Sequence, residues 1–244
     1  MDIRTLVDPA AGLLDRRIFA DREIYELERE RLFARCWLYL AHESEIPNAG
    51  DFVTRAMGEE PVILCRDLNG QLRAHLNLCR HRGNRVCRAD RGNTKLFQCS
   101  YHGWSYTTDG KLALVPMVDA FGDLDRSQWG LIPVAQIDSY KGLIFATFDA
   151  AAPSLREYLG DMAWYLDILL DRREGGTEVS GPHRWVLDAN WKPRRKILAA
   201  TVIISLRLMA RRASSASTRR RRKPDSGTKA VRSPVTTAIF SSPG

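Results

Sequence analysis

Two short strings near the middle of the chain each place a cysteine close to a histidine. The first is CRH at residues 79–81 and the second is CSYH at residues 99–102, with seventeen residues between them. Thiolate sulfur and imidazole nitrogen are donors that iron, zinc and copper take from proteins. Two such loops supply two sulfurs and two nitrogens. The sequence therefore predicts a metal centre held by four side chains: Cys79, His81, Cys99 and His102.

Two kinds of centre use this donor set. A tetrahedral zinc site takes two cysteines and two histidines, usually with the cysteines paired two to four residues apart and the histidines paired three to five apart. In this chain each pair is mixed, with one Cys and one His. Mixed pairs favour a [2Fe-2S] cluster of the type in which two cysteines bind one iron and two histidines bind the other. A Cys2His2 zinc-binding interaction module stays open as the less favoured alternative.

The sequence around the two strings resembles the N-terminal Rieske domain of aromatic-ring-hydroxylating dioxygenase large (alpha) subunits. The resemblance runs from about residue 19 to about residue 192. It includes WLYLAHESEIPNAGDFV at residues 37–53, LNLCRHRG at 76–83 within CRHRGNRVC, and FQCSYHGWSYTTDGKL at 97–112.

This resemblance implies both a reaction and a set of partners. The four donors would bind the [2Fe-2S] cluster, which would receive electrons from an NADH-linked reductase or ferredoxin. It would pass them to a mononuclear iron in an adjacent alpha subunit, where an aromatic ring is dihydroxylated. A small beta subunit is the further partner that the resemblance implies.

The resemblance also suggests roles for residues close to the ligands. Gly83 and Gly103 are expected to let backbone amides approach the sulfides. Trp104 and Tyr106 are expected to shield the cluster from water, or simply to pack in the core. Two arginines, Arg80 and Arg82, would either offset the charge of the cluster or lie in solvent.

The pattern of apolar residues predicts a mostly β fold. Residues 21–36 read as a helix with Asp21 as its N-cap, and residues 154–170 read as a second helix. Strands are expected at 61–65, 72–78 and 142–148. Asn69-Gly70 and Asp109-Gly110 are typical of hairpin turns, because both residue types tolerate positive φ.

These patterns divide the chain into four parts. We expect an N-terminal helical segment at 1–36 and a Rieske-type antiparallel β domain at 37–153. The start of an α+β catalytic domain would follow at 154–192, and a basic, disordered tail at 193–244.

A catalytic iron site is not expected in this chain. Such a site takes two histidines and one carboxylate, and in the related subunits its motif begins soon after an Asn-Trp-Lys, here residues 190–192. Only one histidine, His183, lies beyond the predicted cluster ligands. Reversing the loss of one nucleotide at the codon of Pro193 permits Asp-x-x-His-x-x-x-x-His downstream. We therefore expect residues after about Lys192 to be out-of-frame translation, and we predict no catalytic residue here.

The positive charge of the chain is concentrated in the tail. Residues 193–244 contain thirteen Lys or Arg and one acid, which leaves 24 basic and 28 acidic residues in 1–192. No aromatic residues interleave with the basic run at 219–223, so a nucleic-acid-binding arm is the weaker interpretation. The longest apolar run, 197–204, is too short to span a bilayer, and no membrane partner is expected.

Besides the two predicted ligands the chain has three cysteines: Cys36, Cys65 and Cys87. An odd total without a disulfide framework indicates a reducing, cytoplasmic setting. Cys87 is expected to act as a small buried apolar residue. A stand-alone Rieske ferredoxin-like carrier is the other alternative function, although such a carrier would need neither the N-terminal helix nor residues 154–192.

Overall fold

The computed structural model describes residues 3–174, together with short stretches at 179, 183–184, 190–192 and 238–239. The chain divides into two compact units, one of residues 1–26 and 186–235 and the other of residues 27–185 and 236–244. The second unit contains both Cys/His strings. The predicted tail lies outside the described residues except for 238–239.

Most of the regular structure is antiparallel sheet, as the sequence predicts. The strands are β1 Val7–Asp8, β2 Leu13–Leu14, β3 Leu38–His42, β4 Asp51–Met57, β5 Glu60–Arg66, β6 Leu72–Leu76, β7 Arg91–Asn93, β8 Leu96–Gln98, β9 Ser105–Thr107, β10 Leu112–Leu114, β11 Gln136–Tyr140, β12 Leu143–Thr147, β13 His183–Arg184 and β14 Ala238–Ile239.

Three sheets of three or four strands lie in the second unit. One is ordered β6-β5-β4-β7, another β11-β12-β3 and the third β10-β9-β8. β13 and β14 form a short parallel pair, and in the first unit β1 pairs with β2. The predicted strands at 61–65, 72–78 and 142–148 correspond to β5, β6 and β12.

Both predicted hairpin turns are confirmed. Gly70 has φ of +80° between β5 and β6, and Gly110 has φ of +90° between β9 and β10. The Gly70 amide donates to the Asp67 carbonyl and the Gly110 amide donates to the Thr107 carbonyl, both at 2.9 Å. Each glycine thus closes a tight turn in a conformation that side chains disfavour.

The helices are shorter than the sequence predicts. They are α1 Arg22–Glu28, α2 Leu155–Leu159 and α3 Met162–Leu170, with a π-helical turn at Arg29–Phe33 and 3-10 turns at Ile3–Leu6, Arg16–Phe19, Glu43–Glu45, Val118–Phe121 and Arg126–Trp129. None of the helices in the described part of the chain has the length and apolar character needed to cross a bilayer.

The two helix predictions differ from the structure in instructive ways. Asp21 caps α1 as expected, since its carboxylate accepts from the Glu23 amide at 2.8 Å. The last turn of that helix is π-helical, with the Ala34 amide donating to the carbonyl of Arg29. The segment predicted as a single helix at 154–170 divides at Gly160, whose φ of +46° ends α2.

The central strand β5 explains why two cores form. Side chains along a strand point alternately to opposite faces. Val62 and Leu64 lie in the core shared with β3 and β12, whereas Ile63 and Cys65 lie in the core shared with β8 to β10. All four are fully buried. A strand buried on both faces reads as an unbroken apolar run, and the second of these cores also contains the two predicted cysteine ligands.

Candidate metal centre

The two predicted ligand loops share one backbone hydrogen-bond pattern. The Cys79 amide donates to the Asn84 carbonyl at 2.8 Å, and the Gly83 amide donates back to the Cys79 carbonyl at 2.8 Å. In the second loop the Cys99 amide donates to the Trp104 carbonyl at 2.8 Å, and the Gly103 amide donates to the Cys99 carbonyl at 2.9 Å. Each cysteine therefore starts a closed turn of the same size, although its histidine follows at a different offset.

The two glycines complete these turns by their conformation. Gly83 has φ of +69° and Gly103 has φ of +73°. A Cβ on Gly103 would also lie 2.9 Å from the Pro116 ring. These glycines are expected to let backbone amides approach the sulfides, and this stays a prediction. Their own amides donate to the cysteine carbonyls of the same loops, and the left-handed backbone conformation of both turns favours glycine.

The loops bring the four predicted donors together. Cys79 and Cys99 are 4% and 1% exposed, and each thiol lies close enough to the other to influence its pKa. The His81 and His102 rings meet edge to face, with centroids 4.6 Å apart. Two sulfurs thus form the inner side of the site and two imidazoles the outer side.

One imidazole nitrogen supports metal binding directly. Nδ1 of His81 is buried and has no hydrogen-bond partner. A buried polar atom normally finds a partner, and a metal ion is one that satisfies it. Burial, with lesser contributions from the nearby His102 and Arg82, lowers the pKa of His81. The neutral imidazole that results is the form that binds metal.

The sulfurs lie in unlike environments. Burial raises the pKa of Cys79 despite the hydrogen bond from Tyr106, whose hydroxyl lies 3.2 Å from Sγ. Burial also opposes ionisation of Cys99. Nevertheless its pKa is lowered, because the backbone amides of Tyr101 and His102 and the Asn84 side chain donate to it. The Asn84 amide nitrogen lies 3.5 Å from the Cys99 sulfur.

Aromatic side chains enclose the histidine side of the site. Trp104 is 2% exposed and stacks on His81, with ring centroids 5.1 Å apart and planes within 6°. Phe121 approaches the edge of the His81 ring at 5.9 Å. Tyr101 lies against His102 at 3.8 Å but is itself 60% exposed. His81 is thus packed against Trp104 and Phe121, and both histidines are partly exposed.

Other residues around the loops were predicted with mixed success. Trp104 and Tyr106 are buried as expected. Of the two arginines, Arg80 lies 5.8 Å above the Trp129 ring, whereas Arg82 is exposed. Cys87 is half-buried at the edge of the core, and all five cysteines are free thiols.

Asn77 was missed. Its side chain is 1% exposed, and it donates to the Cys87 carbonyl at 2.7 Å while accepting from the Cys87 amide at 2.8 Å. These two bonds close the first ligand loop behind Cys79. Its position just before the first Cys/His string was the available signal.

The donors are arranged in pairs. In the described part of the chain, no three His, Cys, Asp or Glu side chains converge closely enough to hold a single metal ion. A binuclear cluster needs only two protein ligands at each iron, so the residues present fit such a group.

The remaining histidines lie in separate places. His42 is on β3 beside Ser44, at 2.8 Å, His75 is buried on β6 and His183 is on β13. Residues 193–244, which we expect to be out-of-frame translation, lie outside the described residues except for 238–239.

Comparison with known proteins agrees with this geometry. Residues 36–140 match the family described as the Rieske [2Fe-2S] domain. The chain is 53% identical over 193 residues to biphenyl 2,3-dioxygenase subunit alpha of Rhodococcus jostii, covering 78% of this chain and 42% of that protein. It is 48% identical over 193 residues to benzene 1,2-dioxygenase subunit alpha of Pseudomonas putida, covering 78% and 43%.

A solved structure shows the same relationship. Naphthalene 1,2-dioxygenase from a Rhodococcus species superposes with a TM-score of 0.69 at 53% identity, covering 73% of this chain and 41% of that one. The chain therefore spans about two fifths of the length of the relatives it matches.

Proposed function

We propose that residues 36–140, which match the Rieske [2Fe-2S] domain family, bind such a cluster through Cys79, His81, Cys99 and His102. Cys79 and Cys99 would bind one iron as thiolates, and His81 and His102 the other as neutral imidazoles. The cluster supplies a reversible one-electron change, and its histidine ligation raises the potential above that of an all-cysteine cluster.

The observation that carries the proposal is the convergence of two matching turns. They bury both thiols in one core cluster and bring the two imidazole rings to a centroid distance of 4.6 Å. The unpartnered, buried Nδ1 of His81 adds an atom that needs such a ligand.

The surrounding residues would control how the cluster exchanges electrons. Trp104, buried against His81, and Tyr106, buried beside Cys79, would shield the cluster from water. Tyr106 and Asn84 place hydrogen-bond donors next to the two sulfurs. His81 and His102 are both partly exposed and would offer the route for an electron to enter or leave.

At the level of the whole protein we propose an alpha-subunit role. The domain would pass electrons from a ferredoxin or reductase to a mononuclear iron that supports dihydroxylation of an aromatic ring, in a complex with alpha-subunit neighbours and a beta subunit. The names of the relatives, which are dioxygenase alpha subunits, support this role.

The domain layout belongs to the same proposal. Residues 1–36 would be the N-terminal helical segment, 37–153 the Rieske domain and 154–192 the start of the catalytic domain, with 193–244 translated out of frame. The relatives match 78% of the chain, and residues 193–244 are comparable in length to the unmatched remainder. Such a chain would carry electrons without oxidising a substrate by itself.

The test is cluster assembly in the full chain with matched cysteine variants. Anaerobic reconstitution with iron and sulfide is expected to give two irons and two labile sulfides per chain, with visible absorption. Cys99→Ser should abolish this absorption, whereas Cys87→Ser should retain it, because Cys87 lies outside the paired turns. One zinc per chain in a colourless protein would instead support the Cys2His2 alternative.

A second assay separates the oxygenase part from the stand-alone carrier. We expect the reconstituted chain to accept electrons without consuming oxygen when an aromatic compound such as biphenyl is present. Resequencing the gene around codon 193 should reveal the shifted frame. A confirmed frame together with ring hydroxylation would refute the proposed layout after Lys192.

A further inference from the structure

A strongly basic segment joins the two ligand loops. Between residues 80 and 98 the chain has six basic residues and one acid, Asp90. The rest of residues 1–192 then contains 18 basic and 27 acidic residues. The segment that joins the two ligand loops therefore carries a net charge of about +5, whereas the rest of residues 1–192 carries a net charge of about −9.

Most of this charge is exposed and unpaired. Five of the six side chains are exposed, and we call them the basic rim: Arg82, Arg85, Arg88, Arg91 and Lys95. Among the described residues none of these five contacts a carboxylate within ion-pair distance. Elsewhere in the same domain five basic side chains do make such contacts: Arg55, Arg66, Arg73, Lys111 and Lys141.

The proposed cluster does not itself need this charge. Two ferric irons, two sulfides and two thiolates sum to zero when both histidines are neutral, and the reduced cluster carries one negative charge. A net charge of about +5 exceeds that requirement. Unpaired exposed charges also add little to stability, so their concentration here calls for a partner outside the chain.

The charge around the cluster is one-sided. Arg82 directly follows the ligand His81, and the backbone of Arg85 is bridged to Leu78 at the base of the same loop. On another edge, Phe121 contacts the His81 ring, and it lies between the exposed acids Asp119 and Asp123. A charged protein approaching this site would therefore be oriented as well as attracted.

We propose that the basic rim docks an electron-donor protein that presents an acidic face. This inference rests on the proposed electron-carrying function and names the chemistry of its partner. In each encounter the donor is oxidised by one electron and the cluster is reduced by one. Complementary charge of this kind mainly accelerates association, and salt weakens it.

The experiment compares two reductants with opposite charge on the reconstituted full chain. The acidic probe is a reduced plant-type [2Fe-2S] ferredoxin, whose potential lies well below that of a Rieske centre, so that electron transfer to the cluster is favourable. The cationic probe is the reduced methyl viologen radical. Stopped-flow absorption measures the second-order rate of cluster reduction at ionic strengths from about 20 to about 300 mM.

With ferredoxin, the wild-type rate should fall about tenfold over this salt range. The double variant Arg82→Glu/Arg85→Glu should react about tenfold more slowly at low salt and lose most of the salt dependence. The same variant should react faster with the viologen cation. Arg82→Lys/Arg85→Lys should restore the ferredoxin rate.

The matched control is Lys111→Glu. Lys111 is 82% exposed and lies beyond the far end of β9 from the second ligand loop. This variant should keep the wild-type rate within about twofold.

Several outcomes would overturn the inference. An unchanged ferredoxin rate in the Arg82/Arg85 charge-reversal variant, or a salt-independent wild-type rate, would show that the rim does not dock the donor. If the variant slows cluster reduction equally with both probes, the substitutions have altered the cluster itself and not the docking of the donor. If the wild-type chain forms dimers that the charge-reversal variant does not form, and the ferredoxin rate is unchanged, the rim is an interface between copies of this chain. A chain that assembles no cluster fails earlier and refutes the proposed function instead.

Discussion

Replacing Tyr106 with Phe should lower the reduction potential of the cluster. Tyr106 is fully buried. Its oxygen accepts from the Arg80 amide at 3.0 Å and lies 3.2 Å from the Cys79 sulfur. When Cys79 is a metal-bound thiolate it has no proton to give, so the tyrosine hydroxyl must be the donor. Burial, together with this contact, raises the pKa of Tyr106 and keeps it protonated.

The size of the effect follows from the change in charge on reduction. A hydrogen bond to a charged group contributes about 1.5 to 3 kcal/mol. The added electron increases the negative charge on the sulfur and strengthens this hydrogen bond. Only that part of the hydrogen-bond energy, the gain on reduction, shifts the potential. If that part is about 1 kcal/mol, the potential falls by about 40 mV, since a tenfold change in a one-electron equilibrium is 59 mV. The substitution removes one oxygen from the core, so the fold should be retained.

The assay is a spectroscopic redox titration of the reconstituted chain. The matched control is Tyr101→Phe, which removes the same hydroxyl from a ring that is 60% exposed. The control should shift the potential by less than about 10 mV. A Tyr106→Phe potential equal to or above that of the wild type would refute the reasoning, because the hydroxyl would then not stabilise the reduced state.

Three further substitutions test packing around the site. His75 is 3% exposed with both ring nitrogens unpartnered, so His75→Phe should raise the free energy of unfolding by about 1 to 3 kcal/mol in urea titrations. Burial lowers the pKa of His75 from 6.5. The unfolded chain therefore binds this proton more readily than the folded chain does. The stability of the wild type should decline as the pH falls below about 6.5, and the stability of His75→Phe should decline less. Asn77→Ala removes both bonds to Cys87 and should cost about 2 to 4 kcal/mol and speed iron loss to a chelator; unchanged retention would contradict its role. Glu45→Ala removes the carboxylate that lies 2.6 Å from the buried guanidinium of Arg55. It should lower the thermal midpoint through a loss of about 3 to 5 kcal/mol, and a loss below about 1 kcal/mol would count against this contact.

The sequence predicted best where structure depends on neighbours along the chain. Asn69-Gly70 is a turn because of its own backbone preferences, and the Cys/His strings place two donors on one loop whatever surrounds them. The contacts of His81 with Trp104 and Phe121 depend instead on how separate segments pack, and no local pattern specifies them. Gly160 was overlooked because the apolar pattern continues on both sides of it.

Gly83 and Gly103 also show which features the sequence can predict and which require the structure. Their presence after each histidine was visible in the sequence, but the partners of their amides were not. Only the folded loops show that each amide returns to a cysteine carbonyl. The basic segment at 80–95 was likewise visible as composition, while the lack of carboxylate partners among the described residues required the structure.

Pulsed electron paramagnetic resonance of the dithionite-reduced chain tests the central claim most directly. With ¹⁵N-histidine labelling, the reduced cluster should couple to two histidine nitrogens, and His81→Ala and His102→Ala should each remove this signature. A reduced cluster without nitrogen coupling, or a chain that binds no paramagnetic iron, would contradict the assignment of two cysteines and two histidines to a binuclear centre.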